Sequence, residues 1–358
     1  MTSLPAVNID LQGIRSNAAR MKEICDAGDI SLTGVVKGAA GDVRAAEAFL
    51  EGGIESLGDS RLRNLKIFQE AGLGAEYMLL RLPDPHEAEQ VVELADISLN
   101  SELTALQALA RAARKKSDEH KVVIMIDVGD LREGLWEDEI EDFFSRAQKL
   151  EGINIAGLGT NVGCYGGVLP TYDNTRRLIE IRERISADFG LKLPLISGGN
   201  TATTLLLQKG EMPPAVNHLR VGEGILQGTD VTHQRQLEEF NNQNITLSAR
   251  IIELKQKPSV PLGPTGHDAF GGKPEFEDRG IRKRAILAVG RQDIRIAGLN
   301  PIRPGAEIIG ASSDHLLVDV TAVADDLTAG DRLEFELSYG AMLAAMTSPY
   351  ISKNYLDE

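Results

Sequence analysis

Leu32-Thr33-Gly34-Val35-Val36-Lys37 runs directly into Gly38-Ala39-Ala40-Gly41 near the start of this chain. A short apolar β-type run that ends in a lysine and turns into small residues sets an amine at the mouth of a sheet, with space beside it. An amine held in a partly apolar place has a lowered pKa and can form a Schiff base. A lone lysine at a strand end more often snorkels to solvent. The meaning of Lys37 therefore depends on what the other strand ends carry.

Working outward, β-type runs recur at 32–37, 54–58, 77–82, 96–99, 121–128, 153–160, 193–197 and 216–221. Helical patterns lie between them, for example at 43–51, 60–71, 86–94, 101–116, 137–149 and 172–189, and a further one at 10–25 precedes them, with Asp10 placed to cap it. Eight strands alternating with seven helices predict a parallel (β/α)8 barrel over residues 8–235. Past 235 the texture changes to short β runs at 245–254, 283–289, 306–310, 315–321 and 331–337, separated by Gly/Pro turns. Residues 236–358, with 1–7, are expected to form a mostly antiparallel β domain. The stretch 258–280 is rich in Gly, Pro and Asp and reads as a long functional or mobile loop.

The chain has 358 residues, 38 basic against 53 acidic, a net charge of −15. That balance argues against nucleic acid or an anionic membrane as a partner. No apolar run approaches the roughly 20 residues that span a bilayer, and Met1-Thr2-Ser3-Leu4-Pro5 lacks the regions of a signal peptide. With only Cys25 and Cys164, a disulfide framework is not expected and a reducing cytoplasm is the default setting. The six histidines show no ligand spacing, so no catalytic metal is expected.

A barrel works at the C-terminal ends of its strands. There the sequence places Lys37, then Gly58-Asp59-Ser60-Arg61, then Asp127-Val128-Gly129-Asp130-Leu131-Arg132. Next come Thr160-Asn161-Val162-Gly163-Cys164-Tyr165, then Gly198-Gly199-Asn200-Thr201, then Arg220-Val221-Gly222-Glu223. Glycine turns after the last two strands suit a phosphate. A lysine, two phosphate turns and an arginine together point to pyridoxal phosphate, which needs an amine, a phosphate cradle and a group at its ring nitrogen.

On these residues the chain resembles the alanine racemase-like, fold type III family of pyridoxal phosphate enzymes, and within it the ornithine racemase-like branch. VVKGAAGD is similar to the family's VVKxNAYG, which implies that Lys37 is the Schiff-base lysine. DVGDLREGL resembles DTGMxRxG and implies Arg132 near the ring hydroxyl or the substrate carboxylate. SGGNTATT resembles the phosphate turn, implying Asn200 and Thr201. LRVGEGIL resembles RxGxxxxG, implying Arg220 at the pyridine nitrogen and the backbone of Gly222 and Glu223 at the phosphate. GASSDHLLVDVT implies that Ser312, Ser313 and Asp314 reach the site of a partner subunit, in a head-to-tail homodimer, and Tyr339 resembles a tyrosine near the cofactor.

The chain also departs from alanine racemase. Gly41 stands where the family has a tyrosine after the lysine, Asn161 replaces a ring-facing histidine, and Arg291 takes the place of the tyrosine that serves as second base. The resemblance implies an L/D amino-acid racemase, with Lys37 as base on one face. For the opposite face three candidates stand: Asp314-His315 first, then Cys164-Tyr165, then His267-Asp268. Their plainer readings are a turn with a surface histidine, a structural cysteine and a solvated loop. Arg132 could instead pair with Asp127 or Asp130, and Asn200 with Thr201 could be a helix cap. Glu223 could be an exposed helix residue, and Trp136 and Tyr165 simple packing. The resemblance favours ornithine or another basic substrate, whose side-chain ammonium Asp314, Asp268 or Asp293 could meet. Alanine or broad specificity, an amino-acid decarboxylase and a non-catalytic cofactor carrier are the alternatives. Arg220 speaks against a decarboxylase, and the second domain against a carrier.

Overall fold

The computed structural model describes residues 3–356, in two units. One is Leu11–Asn242; the other joins the residues up to Asp10 with those from Gln243 onward. The first strand, β1 (Ala6–Asp10), belongs to the second unit.

In the unit Leu11–Asn242 the eight expected strands are present: β2 (Ser31–Val35), β3 (Ser56–Asp59), β4 (Glu76–Leu79), β5 (Ile97–Asn100), β6 (His120–Met125), β7 (Ile153–Gly159), β8 (Leu195–Ser197) and β9 (His218–Val221). They form a closed barrel in chain order, and β9 returns to β2 with Thr33 opposite Arg220. Helix α1 (Leu11–Asp26) precedes β2. Seven helices then intervene: α2 (Val43–Glu51), α3 (Leu62–Glu70), α4 (Ala88–Leu94), α5 (Leu103–Lys115), α6 (Ile140–Ala147), α7 (Tyr172–Phe189) and α8 (Thr204–Gln208). Local chemistry sets their ends. Asp42 caps α2 by accepting the Ala45 amide, Thr171 and Asn174 form a capping box on α7, and Gly190 ends α7 in the left-handed region.

The barrel interior has two unlike halves. On β4, β5 and β6 the alternate residues Met78, Ile97, Leu99, Val123 and Met125 form one buried apolar cluster. On β2, β3, β8 and β9 the inward positions include the polar Thr33, Ser56, Ser197, His218 and Arg220, while Leu195 of β8 packs against the apolar cluster. The halves meet at two glycines. A Cβ on Gly159 would lie 3.0 Å from both Met125 and Val123 and 3.4 Å from Ser197, and one on Gly58 would lie 2.9 Å from Thr33 and 3.2 Å from Leu80. The N-terminal end of the interior opens into a cavity of about 1120 Å³ whose wall includes Thr33, Ser56, Met78, Ile97 and His218.

After β9 come α9 (Glu223–Gln227) and a small hairpin of β10 (Thr229–Asp230) and β11 (Arg235–Gln236). The barrel unit runs on to Asn242 rather than 235. Asn17 on α1 donates to the carbonyls of Ile225 (3.0 Å) and Asn241 (2.7 Å) and accepts the Asn241 amide (2.7 Å), which ties that segment down.

The second unit is built on β12 (Ile245–Pro258), with β13 (Ile281–Leu287), β14 (Leu299–Pro301), β15 (Glu307–Ala311), β16 (Leu316–Asp319) and β17 (Arg332–Leu337). They run antiparallel in the order β14-β17-β12-β13-β16-β15. β1 pairs antiparallel with β12 and parallel with β18 (Ser352–Leu356), which is why residues 8–10 belong here and not to the barrel. Helix α10 (Tyr339–Thr347) starts at the Ser338 cap. Residues 259–280 contain no helix or strand. No helix among the described residues is long and apolar enough to cross a membrane.

Candidate active site

Lys37 begins a single 3-10 turn just past β2 and is half-buried. Burial pushes its amine below the ordinary lysine value. Cys164 and Asp59 pull it back up, and the positive charge of Arg132 pushes it further down. Its Nζ makes no hydrogen bond among the described residues. Asp59, at the end of β3, is fully buried. One carboxylate oxygen accepts the Arg61 amide at 2.9 Å and the Asn64 amide group at 3.0 Å, and the other has no partner among the described residues. Burial raises this carboxyl to about 6. The sequence places Asp59 at a strand end without pointing to a role for it. Its signal was the strand-end position it shares with Lys37.

Arg132 is paired with neither Asp127 nor Asp130. Its guanidinium forms a two-point pair with Glu133; burial alone would lower it, but that pair holds it above its usual value. The two aspartates fold the backbone instead. Asp127 accepts the amides of Gly129 (2.8 Å) and Leu131 (3.3 Å). Asp130 is buried and gathers four amides: Gly163 (3.1 Å), Cys164 (3.3 Å), Tyr165 (2.9 Å) and Val168 (3.2 Å). One carboxylate so engaged fixes the whole turn that carries Cys164.

Cys164 itself is exposed. It lies within electrostatic reach of Lys37, Arg132 and Arg220 alike. Asn200 does cap the short turn Thr201–Thr203, accepting the Ala202 amide at 2.9 Å, but its side chain also crosses to the β7 turn. Nδ2 donates to Asn161 Oδ1 (3.1 Å) and Val162 O (2.7 Å) and lies 3.7 Å from Cys164 Sγ. The buried Nδ2 of Asn161 has no partner among the described residues. Tyr165 and Trp136 are 76% and 42% exposed, so neither packs in the core.

Arg220 is buried at the end of β9. It donates to Ser197 Oγ and, at 2.7 Å, to Thr160 O. No carboxylate hydrogen-bonds it among the described residues, and burial lowers its pKa to about 10. Beside it Thr201 Oγ1 accepts the Gly224 amide at 3.3 Å. The amides of Gly222 and Glu223 donate to no acceptor among the described residues. Glu223 is not an exposed helix residue: its carboxylate accepts Thr229 Oγ1 (2.8 Å) and the Val231 amide (2.9 Å), and burial raises it to about 7.

These nine sequence-chosen residues, Lys37, Arg132, Asn161, Cys164, Asn200, Thr201, Arg220, Gly222 and Glu223, all stand at the C-terminal ends of barrel strands. The others lie in the second unit. There His315 Nδ1 is 2.9 Å from Asp314 Oδ1, Ser313 Oγ donates to the same oxygen at 3.0 Å, and the His315 amide donates to Ser312 Oγ at 3.2 Å. This turn is joined to the Gly290 turn, since Arg291 and Gln292 donate to the carbonyls of Ser312 and Ser313, both at 3.0 Å. Arg291 stacks 4.5 Å from the Phe270 ring. Tyr339 is the first residue of α10. Of the acidic residues weighed for a substrate ammonium, Asp293 is buried and bonded to Ser348 (2.8 Å), and Asp268 is held by the amides of Phe270 (2.9 Å) and Gly272 (2.8 Å). Asp314 is exposed. No cluster of metal-ligating side chains is present among the described residues.

The barrel mouth thus gathers a depressed lysine, a buried arginine and two backbone amides that donate to no acceptor among the described residues. Residues 9–230 match the alanine racemase N-terminal domain, and the chain belongs to the alanine racemase family. Over 98% of its length it is 43% identical to an ornithine racemase of Acetoanaerobium sticklandii, covering 99% of that protein. It is 41% identical, over 98% of both chains, to a lysine racemase of Thermotoga maritima. Among solved structures, alanine racemase from Streptomyces lavendulae superposes with a TM-score of 0.75 at 18% identity, over 100% of this chain and 98% of that one. That likeness concerns the fold.

Proposed function

We propose that this protein is an amino-acid racemase that interconverts the L and D forms of a basic amino acid, ornithine or lysine, with pyridoxal phosphate as cofactor. The observation that carries the reading is Lys37: an amine depressed by burial, without a hydrogen-bond partner, set among Cys164, Arg132 and Asp59. The two relatives above, an ornithine and a lysine racemase, support the substrate class.

The residues present fit the cofactor. Lys37 would hold its aldehyde carbon, Arg220 its ring nitrogen, and Thr201 with the free amides of Gly222 and Glu223 its phosphate. When bound, the cofactor supplies an electron sink that acidifies the substrate's α-carbon. Arg220 is a donor only and a weak acid, so a ring nitrogen facing it stays unprotonated; the sink is then moderate, which suits proton transfer over bond cleavage. Arg132, fixed by Glu133, presents a guanidinium edge suited to a carboxylate. Lys37, with its amine held below the usual range, takes or returns the α-proton on one face.

For the opposite face, Cys164 shares the barrel mouth and the electrostatic field of Lys37, and its turn is fixed by Asp130. The competing carrier is the hydrogen-bonded Asp314–His315 pair, which a head-to-tail partner subunit would bring with Ser312 and Ser313. The test is α-deuteration of L- and D-ornithine in deuterium oxide. Lys37→Ala should lose exchange from both enantiomers together with the visible absorbance of bound cofactor; an absorbing, active Lys37→Ala protein would overturn the reading. Cys164→Ser should abolish racemisation while leaving exchange from one enantiomer. If His315→Gln does that instead, the thiol is not the second carrier. Release of carbon dioxide would mark a decarboxylase.

A further inference from the structure

Arg220 is held by a chain of buried groups that the reaction above does not use. Beyond Ser197 the contacts continue across the polar half of the barrel. Ser197 Oγ lies 2.7 Å from His218 Nδ1, His218 Nε2 lies 2.9 Å from Thr33 Oγ1, and Thr33 Oγ1 lies 2.9 Å from Ser56 Oγ. Ser197 and Thr33 are fully buried and His218 is 4% exposed.

The direction of every hydrogen bond follows from one fact: a guanidinium only donates. Ser197 Oγ must accept from Arg220, so its own proton goes to the acceptor on its other side, His218 Nδ1. With Nδ1 accepting, the ring proton sits on Nε2 and is given to Thr33, whose hydroxyl proton then goes to Ser56. The opposite tautomer would leave the Ser197 hydroxyl proton without an acceptor in a buried site, and an imidazolium would do the same. We propose that His218 is a positioning residue for Arg220, acting through Ser197: its neutral Nε2–H form fixes the Ser197 lone pair on which the guanidinium rests. The low dielectric and the nearby Arg220 charge, which push the imidazole down to about 3, agree with a ring that stays neutral. His218 and Arg220 stand two apart on β9, so both face inward.

The effect on catalysis rests on the proposed placing of Arg220 at the ring nitrogen; the tautomer does not. Selective ¹⁵N-histidine labelling of the full-length holoenzyme, with His218→Asn to assign the signal, should show a neutral Nε2–H ring from pH 6 to 9. An Nδ1–H ring or an imidazolium overturns the proposal whatever the enzyme's activity. In the racemisation assay His218→Leu should lower kcat about tenfold with little change in KM. His218→Asn, which keeps an acceptor near the Nδ1 position, should recover most of that loss. Ser197→Ala should match His218→Leu, and the double variant should be no worse than either. Separate, additive losses, or lost thermal stability with kcat intact, would reduce His218 to a core residue. Should His218→Leu not fold, Ser197→Ala and His218→Asn carry the same comparison.

Discussion

Asp130 and Cys164, thirty-four residues apart, are joined by the Cys164 amide donating to the Asp130 carboxylate at 3.3 Å. Three more amides of the same turn share that carboxylate. Asp130→Asn presents one acceptor oxygen and an NH₂ where two acceptors stood, so the amides that bonded the lost oxygen are left without it. We expect a loss of about 1–3 kcal/mol by chemical denaturation and faster hydrogen exchange confined to residues 162–168. Protection there equal to the parent's would sink the claim that Asp130 organises the turn.

Gly41 sits at φ +77°, and a Cβ there would lie 2.6 Å from Asn64 Oδ1. Gly41→Ala therefore meets both a left-handed backbone and the side chain that holds Asp59. We expect about 1–3 kcal/mol of destabilisation and weaker cofactor retention on dialysis, because Asp59 acts on the Lys37 amine. A variant as stable as the parent would show that Asn64 yields freely.

Glu223 gives a stability change with a definite sign. Its folded pKa is raised to about 7 from 4.5. The native state thus holds a proton that the unfolded state has already lost between those values, and its stabilisation fades as pH rises from about 4.5 to 7. Glu223→Gln still accepts from Thr229 and Val231 but cannot charge. Denaturation at pH 4.5 and pH 8 should show the variant gaining on the parent by on the order of 2 kcal/mol at the higher pH. A constant gap would mean the carboxylate is not destabilised by burial.

His120 shows the opposite sign. It is 3% exposed, 2.8 Å from Ser98 Oγ, and lowered from 6.5 to about 4. The unfolded chain takes up its proton first as pH falls below about 6.5, so native stability declines from there toward 4. His120→Gln should reduce that acid-side slope by about 1.4 kcal/mol per pH unit, measured by urea denaturation between pH 6.5 and 4.5. An unchanged slope would show that His120 does not carry it.

The barrel was legible because its signal is periodic. Eight apolar runs alternate with helical ones, and strand-end residues such as Lys37 and Arg220 gain meaning when the strand ends are read together. What escaped was set by contact. The expected boundary at residue 8 cuts β1 in two: Ala6 and Val7 were expected in the second unit, but Asn8–Asp10 go with them through the same pairing with β12 and β18. Asp59, Asp130 and His218 are ordinary letters in sequence; their weight comes from burial, from four amides converging on one carboxylate, and from a hydroxyl 2.7 Å away. Arg132 was the reverse case, for its partner proved to be its immediate neighbour, Glu133.

The unlike halves of the barrel interior separate durability from chemistry. Filling or reshaping the cluster of Met78, Ile97, Leu99, Val123 and Met125 changes packing alone, and Gly159 and Gly58 mark where that freedom ends. An engineer seeking a hardier enzyme can rebuild β4, β5 and β6 from within, and one seeking a different reaction has to begin on β2, β8 and β9.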